Sequence, residues 1–310
     1  MNKFSIAIHG GAGTLVKGMM TPEKEAAYKA ALSTALTIGY SILENGGSAL
    51  DAVEKAVNSL ENCHLFNAGK GSVFTANETH EMDASIMDGK DLKAGAVSLI
   101  TGIKNPVSLA REVMEKSEHV FMAGEGAMQF AKMNGYELEE PSYFFDEFRH
   151  NQWLEIKDSE HFQLDHATKK DSKFGTVGAV ACDMNGNIAA ATSTGGMTNK
   201  KFGRVGDSPM IGAGNYANNQ TCAVSCTGSG EYFIRGVVAY DVACLIEHKN
   251  YSLQQATEEV ILKRILKLGG DGGLIAVNAN AEIALSFNTE GMYRAWKNSN
   301  GEEKVLIYGE

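Results

Sequence analysis

The chain has 310 residues, 44% of them hydrophobic, and a formal net charge of −10 spread along its length. That composition supports a sizeable core and excludes a disordered chain, and without a block of Lys or Arg it argues against nucleic acid as a partner. The five cysteines, Cys63, Cys182, Cys222, Cys226 and Cys244, are odd in number and contain no CxxC pair, so they read as free thiols of a reducing, cytoplasmic compartment. No apolar run reaches membrane-helix length, and residues 1–8 are too short and polar for a signal peptide.

In chain order, residues 4–9 form a short apolar strand closed by Gly10, Gly11 and Gly13. A helix begins near Thr21, with Pro22 suited to its first turn, and continues at helical spacing to Leu43, where Asn45-Gly46-Gly47 stops it. Ser48, with Asp51 three residues on, reads as the N-cap of a second helix to about Leu60. Residues 61–71 lack a period and read as a loop. Residues 82–87 and 94–101 read as strands joined at Asp88-Gly89, and helices follow near 106–116 and 124–133. A helical patch near 145–156 leads into residues 157–174, a polar and charged stretch that reads as an exposed linker.

Beyond the linker the pattern changes. Residues 176–182 are small and apolar, Asn185-Gly186 is a hairpin turn, and 188–194 return as a second strand. Residues 209–214 and 222–227 add strands, helices span 232–248 and 252–267, and the last segment is a hairpin of 274–277 with 282–287. Strands joined by hairpins argue for antiparallel sheets rather than βαβ units. The expected architecture is α/β of the α+β type: a four-layer α-β-β-α sandwich of two mainly antiparallel sheets, forming a single domain over residues 1–310.

The junction Gly175-Thr176 stands where the linker meets a core strand. A threonine hydroxyl is a poor nucleophile without a base, but a threonine at a chain terminus carries its own, an α-amine of pKa near ~8. Cutting the chain after Gly175 would create that terminus, and glycine leaves its carbonyl open to attack. Thr192-Ser193-Thr194 ends the partner strand, so its hydroxyls can return beside Thr176. Thr227-Gly228-Ser229-Gly230 offers a hydroxyl and backbone N–H groups in a glycine-rich turn, the chemistry of an oxyanion hole. Gly203-Arg204-Val205-Gly206-Asp207 places one cation and one anion in a loop, suited either to a substrate with its own carboxylate and ammonium or to an internal salt bridge.

These runs, together with His9-Gly10-Gly11-Ala12-Gly13, Phe66-Asn67-Ala68-Gly69 and Gly203 to Pro209, resemble the plant-type (type III) asparaginases, also called isoaspartyl peptidases, of the N-terminal-nucleophile (Ntn) hydrolases. The resemblance spans almost the whole chain in the right order. It implies Thr176 as the nucleophile and Thr194 as a threonine bonded to it. It implies Thr227 and Gly228 as the oxyanion and substrate turn, with Ser229 and Gly230 beside them. Arg204 and Asp207 would hold the substrate α-carboxylate and α-amino group, and Asn67 would line the site. Self-cleavage would give an α subunit of 1–175 and a β subunit of 176–310, pairing into a dimer of αβ heterodimers. The segment 60–70 resembles a sodium loop, with carbonyls of Leu60, Glu61, Cys63, Phe66, Ala68 and Lys70 as ligands; no organic cofactor is implied. Ser229 and Asn215 occupy positions that can tune substrate preference.

The expected activity is hydrolysis of β-aspartyl peptides and L-asparagine with release of L-aspartate. The alternatives are a glycosylasparaginase-like amidase and, from another class, an uncut amino-acid-binding protein. His80, Glu81, Asp83 and Asp88 fit no standard metal-ligand spacing. The glycines after His9 lack full dinucleotide-fingerprint spacing.

Overall fold

The computed structural model describes residues 3–158 and 175–309; most of the expected linker, 159–174, lies outside them. The first half contributes β1 (Ser5–Gly13), α1 (Pro22–Glu44), α2 (Ala49–Glu61), β2 (Met82–Asp88), β3 (Ala94–Ile100), α3 (Pro106–Lys116), β4 (Phe121–Ala123), α4 (Gly124–Met133), α5 (Pro141–Phe144) and α6 (Glu147–Ile156). The second half adds β5 (Val177–Cys182), β6 (Ile188–Thr194), β7 (Asn215–Ala217), β8 (Ala223–Gly228), α7 (Gly230–Gly236), α8 (Val238–Lys249), α9 (Leu253–Glu258), β9 (Gly272–Val277), β10 (Ile283–Phe287), β11 (Gly291–Asn298) and β12 (Glu303–Tyr308).

Local chemistry sets the boundaries. The Thr21 hydroxyl caps α1 by accepting the Lys24 N–H, with Pro22 behind it, and Ser48 caps α2 through the Asp51 N–H. The β5–β6 turn is held by Asp183, whose Oδ1 accepts the N–H groups of Asn185 and Asn187, while Gly186 takes φ +77°.

Eight strands make one sheet in the order β12-β11-β1-β5-β6-β2-β3-β4, and four make a second, β10-β9-β8-β7. All pairings are antiparallel except β3 with β4. One face of the large sheet packs on α1, α2 and α3 through Ile6, Leu36, Val53, Val57, Ile86 and Val97. The outer face of the small sheet packs on α8 and α9 through Val224, Val242, Ala256 and Leu274. The inner faces meet through Ala7, Val180, Ile188, Ile275 and Val277. The result is the expected four-layer sandwich.

Four expectations need correction. The first strand does not close at His9 but continues to Gly13 across a bulge between His9 and Gly11, where Gly11 has φ +113°. Residues 209–214 are turns rather than a strand, because their backbone is spent on local bonds such as Met210 N–H to Asp207 O. The helix expected over 232–248 breaks at Val237, a left-handed residue at φ +47°. The hairpin over 274–287 is not the last element: β11 and β12 follow, and β11 pairs directly with β1. Their charged and aromatic residues hide strand alternation, since Trp296 and Lys297 only half-bury.

Candidate active site

Thr176 is buried at the entry of β5. Its Oγ1 lies 3.1 Å from Ser208 Oγ, and its carbonyl oxygen lies 3.0 Å from His9 Nδ1. Gly175 precedes it in a crowded place. A Cβ on Gly11 would fall 2.6 Å from the Gly175 nitrogen, and a Cβ on Gly175 would fall 2.9 Å from Thr227 Oγ1. Glycine at both positions lets three strand ends converge. The Thr227 hydroxyl, fully buried, has no hydrogen-bond partner among the described residues. A buried polar atom left open beside a candidate scissile residue is what an incoming oxyanion would use.

Thr194 lies next to Thr176 in space, because β5 and β6 pair Val177 with Ser193. Its hydroxyl accepts the Gly196 N–H at 3.0 Å, while the Thr176 hydroxyl meets that of Ser208. The sequence reading left Ser208 without a role. Its one signal was its place directly after Asp207 in a loop already singled out.

The internal Arg204–Asp207 bridge does not form. Arg204 instead makes a two-point pair with Glu231, Nε to Oε1 at 2.9 Å and Nη2 to Oε2 at 2.9 Å. Glu231 sits in the first turn of α7, and the pair draws its carboxyl pKa below the usual value against its own desolvation. Asp207 is buried with Oδ2 unpartnered, and burial pushes its pKa up to about 7. Gly230 lets both side chains close on its backbone: a Cβ there would lie 2.9 Å from both Arg204 Nη2 and Asp207 Oδ1. Thr176, Ser208, Asp207, Gly230 and Arg204 thus form one run of neighbouring residues.

Other expected site residues have structural partners. Asn67 donates to Gly196 O at 2.7 Å, and its Oδ1 and carbonyl accept Val73 N–H and Gly195 N–H, so it ties the loop after α2 to the turn after Thr194. Ser229 engages Asp271, its hydroxyl on the carboxylate and its N–H on the carbonyl. Gly228 carries φ +153° and packs against Gly272, where a Cβ on either would collide. Asn215 is fully buried, its amide donating to the Ser85 carbonyl, and pairs across β7 and β8 with Ser225, two residues before Thr227.

In the expected sodium loop, the carbonyls of Leu60, Cys63, Phe66 and Ala68 each accept a backbone N–H. The glycines of this loop allow the carbonyls to crowd: a Cβ on Gly69 would lie 2.4 Å from Glu61 O, and one on Gly71 2.2 Å from Phe66 O. The Lys70 ammonium sits over the Tyr143 ring, 5.3 Å from its centre. Beside the loop, Glu61 is buried against Val107 N–H and the Asn105 amide, and burial raises its pKa to about 7. Among the described residues no group of three or more His, Cys, Asp or Glu side chains could hold a metal ion, and no helix is long and apolar enough to cross a membrane.

Two stacked antiparallel sheets under helices, with a buried threonine at the lip of a central strand, define the fold of the Ntn hydrolases. The chain belongs to the family described as asparaginase, whose profile matches residues 2–307. It is 52% identical over 313 residues to the "Isoaspartyl peptidase" of Escherichia coli (strain K12), covering 100% of this chain and 98% of that protein. It is 44% identical over 292 residues to the human "Isoaspartyl peptidase/L-asparaginase", covering 94% and 92%, and 43% identical over 288 residues to that of Xenopus laevis, covering 93% and 90%.

Proposed function

We propose that this chain is an isoaspartyl peptidase and L-asparaginase that cuts itself between Gly175 and Thr176 and then uses Thr176 as its nucleophile. The observation that carries the reading is the pair of open buried oxygens near Thr176: Thr227 Oγ1, beside Gly175, and Asp207 Oδ2, in the residue before the Ser208 that meets the Thr176 hydroxyl. One suits a developing oxyanion, the other a substrate ammonium, and the names of the relatives point to the same chemistry.

In the cut protein the α-amine of Thr176 takes the Oγ1 proton, and Oγ1 attacks the side-chain carbonyl of the β-aspartyl or asparagine substrate. The Thr227 hydroxyl and the Gly228 turn hold the oxyanion. Collapse expels ammonia or a peptide amine, carrying the proton from the α-amine, and leaves an ester on Thr176. Water then attacks the ester and releases L-aspartate. Arg204 keeps donors beyond those spent on Glu231 for the substrate α-carboxylate, while Asp207 takes the ammonium, which restores its charge in a buried place. Thr194, one strand over, supports the nucleophile, and Asn67 holds the loop that borders it. Ser229 and Gly230 shape the turn. A sodium ion held by the carbonyls of residues 60–70 would stiffen the loop carrying Asn67. The subunits, 1–175 and 176–310, would remain together as a dimer of heterodimers.

On a denaturing gel, the natural protein gives two fragments and releases aspartate from β-aspartyl dipeptides, while Thr176→Ala stays one band without turnover. A Thr176→Ala protein that is both cut and active sinks this reading.

A further inference from the structure

Beneath Thr176 a closed circuit of buried polar groups begins and ends on that residue. His9, fully buried on β1, places Nδ1 3.0 Å from the Thr176 carbonyl oxygen and Nε2 2.9 Å from Ser225 Oγ. Ser225 Oγ lies 2.7 Å from Thr192 Oγ1, which accepts from Asn215 Nδ2 at 3.3 Å. Asn215 Nδ2 also donates to the Ser85 carbonyl at 3.2 Å, and the Ser85 hydroxyl donates to the Ser208 carbonyl at 2.6 Å. Ser208 Oγ returns to Thr176 Oγ1 at 3.1 Å.

Counting hydrogens gives the circuit a direction. A carbonyl oxygen only accepts, so Nδ1 of His9 carries the hydrogen. Burial holds the imidazole neutral, its pKa pushed down to about 3, so Nε2 is a lone pair and Ser225 must donate to it. Ser225 then has no hydrogen left, so Thr192 donates to Ser225, with Gly214 O at 3.2 Å a weaker alternative acceptor. The other tautomer would set the bare Nδ1 lone pair against the Thr176 carbonyl oxygen, two buried acceptors facing each other with no hydrogen between them, which is unfavourable. Gly178 completes the arrangement: a Cβ there would lie 2.0 Å from Ser225 Oγ and 2.5 Å from His9 Nε2.

We propose that His9 is a positioning residue for the nucleophile: its Nδ1–H tethers the Thr176 carbonyl so that the freed residue keeps its hydroxyl and amine aimed at the Thr227 turn. This rests on the reading of Thr176 given above. Cleavage removes the covalent link on the amine side of Thr176, and strand pairing resumes only at Val177. The His9 bond then fixes the residue from its carboxyl side, and Ser208 steadies the hydroxyl.

The reading of Thr176 and the role of His9 fail separately. If the natural protein is neither cut nor active, the nucleophile assignment falls, and nitrogen NMR on histidine-labelled protein still tests the tether. The signal missing from His9→Asn should report hydrogen on Nδ1 and a lone pair on Nε2, unchanged between pH 5 and 8. A ring that titrates in that range, or carries its hydrogen on Nε2, overturns the proposal. In cleaved, active enzyme His9→Asn, whose amide N–H can reach the same carbonyl, should keep kcat within about fivefold, while His9→Phe loses about 100-fold in kcat with KM within about twofold. Equal losses in the two variants, or a loss confined to KM, overturn it. Should His9→Phe not fold, Ser225→Ala removes only the donor to Nε2; a kcat about tenfold lower supports the tether and an unchanged kcat overturns it.

Discussion

Two rows cross the same layer, one step apart. Ala7, Val180, Ala190 and Met87 lie side by side on β1, β5, β6 and β2, and with Ala223 opposite they belong to an apolar cluster. Two residues along each strand, on the same face, stand His9, Gly178, Thr192 and Ser85, with Ser225 opposite. The strand period of two carries the chain from a row that only needs to fill space to one in which each hydrogen has an assigned acceptor. The first row contributes stability that any well-shaped hydrocarbon could supply. The second specifies where one carbonyl and one hydroxyl sit.

The comparison can be broken from either side. The largest effect is expected at Asp207, next to the Ser208 that closes the circuit: Asp207→Asn should lower kcat/KM by about 1,000-fold, mostly through KM, since on the proposed reading it removes the charge that holds the substrate ammonium. Because burial raises the Asp207 pKa to about 7, the natural enzyme's KM should climb as pH falls below that value; a KM independent of pH from 5 to 8 would contradict the assignment. In the apolar cluster, Ile275→Ala should cost about 2–5 kcal/mol in a denaturant melt while kcat per folded molecule stays at the natural level. A fall in kcat there would erase the distinction between the rows.

Smaller effects appear in stability against pH. His9 has a folded pKa of about 3 against 6.5 unfolded, so the unfolded chain binds the extra proton between them. Its contribution is present above 6.5 and is lost as pH falls toward 3, by about 1.4 kcal/mol per pH unit. His9→Phe should flatten that slope in melts from pH 6.5 to 4. Glu61 works the other way. Its folded pKa of about 7 exceeds the ordinary 4.5, so stability is present below 4.5 and is lost as pH rises through 7. Glu61→Gln should therefore show a melting temperature that varies less between pH 5 and 8, a modest gain because the Val107 and Asn105 donors still need an acceptor.

What the sequence disclosed follows the same division. Period and punctuation were enough for α1, α2 and the β5–β6 hairpin, because Thr21, Ser48 and Asn185-Gly186 act locally. The β11–β12 hairpin was missed because its burial depends on the distant β1. Around Thr176, the residue types with obvious chemistry stand out in the sequence: Thr176, Thr227, Arg204 and Asp207. Ser208 and the circuit through His9, Ser225 and Thr192 do not, since these residues lie far apart in sequence and only strand register joins them. Glu231 was hidden for a similar reason: nothing near Arg204 in the chain announces a partner 27 residues on.

The contact between Gly175 and Thr227 also bears on timing. On the proposed reading, Gly175 stands beside the Thr227 hydroxyl before the cut, near enough that a Cβ on it would fall 2.9 Å away. A substrate carbonyl would have to enter that same space, so the uncut polypeptide occludes itself and behaves as a zymogen. Newly made protein would then show a lag before turnover, and the length of that lag would report how fast residue 175 departs rather than how fast asparagine is hydrolysed.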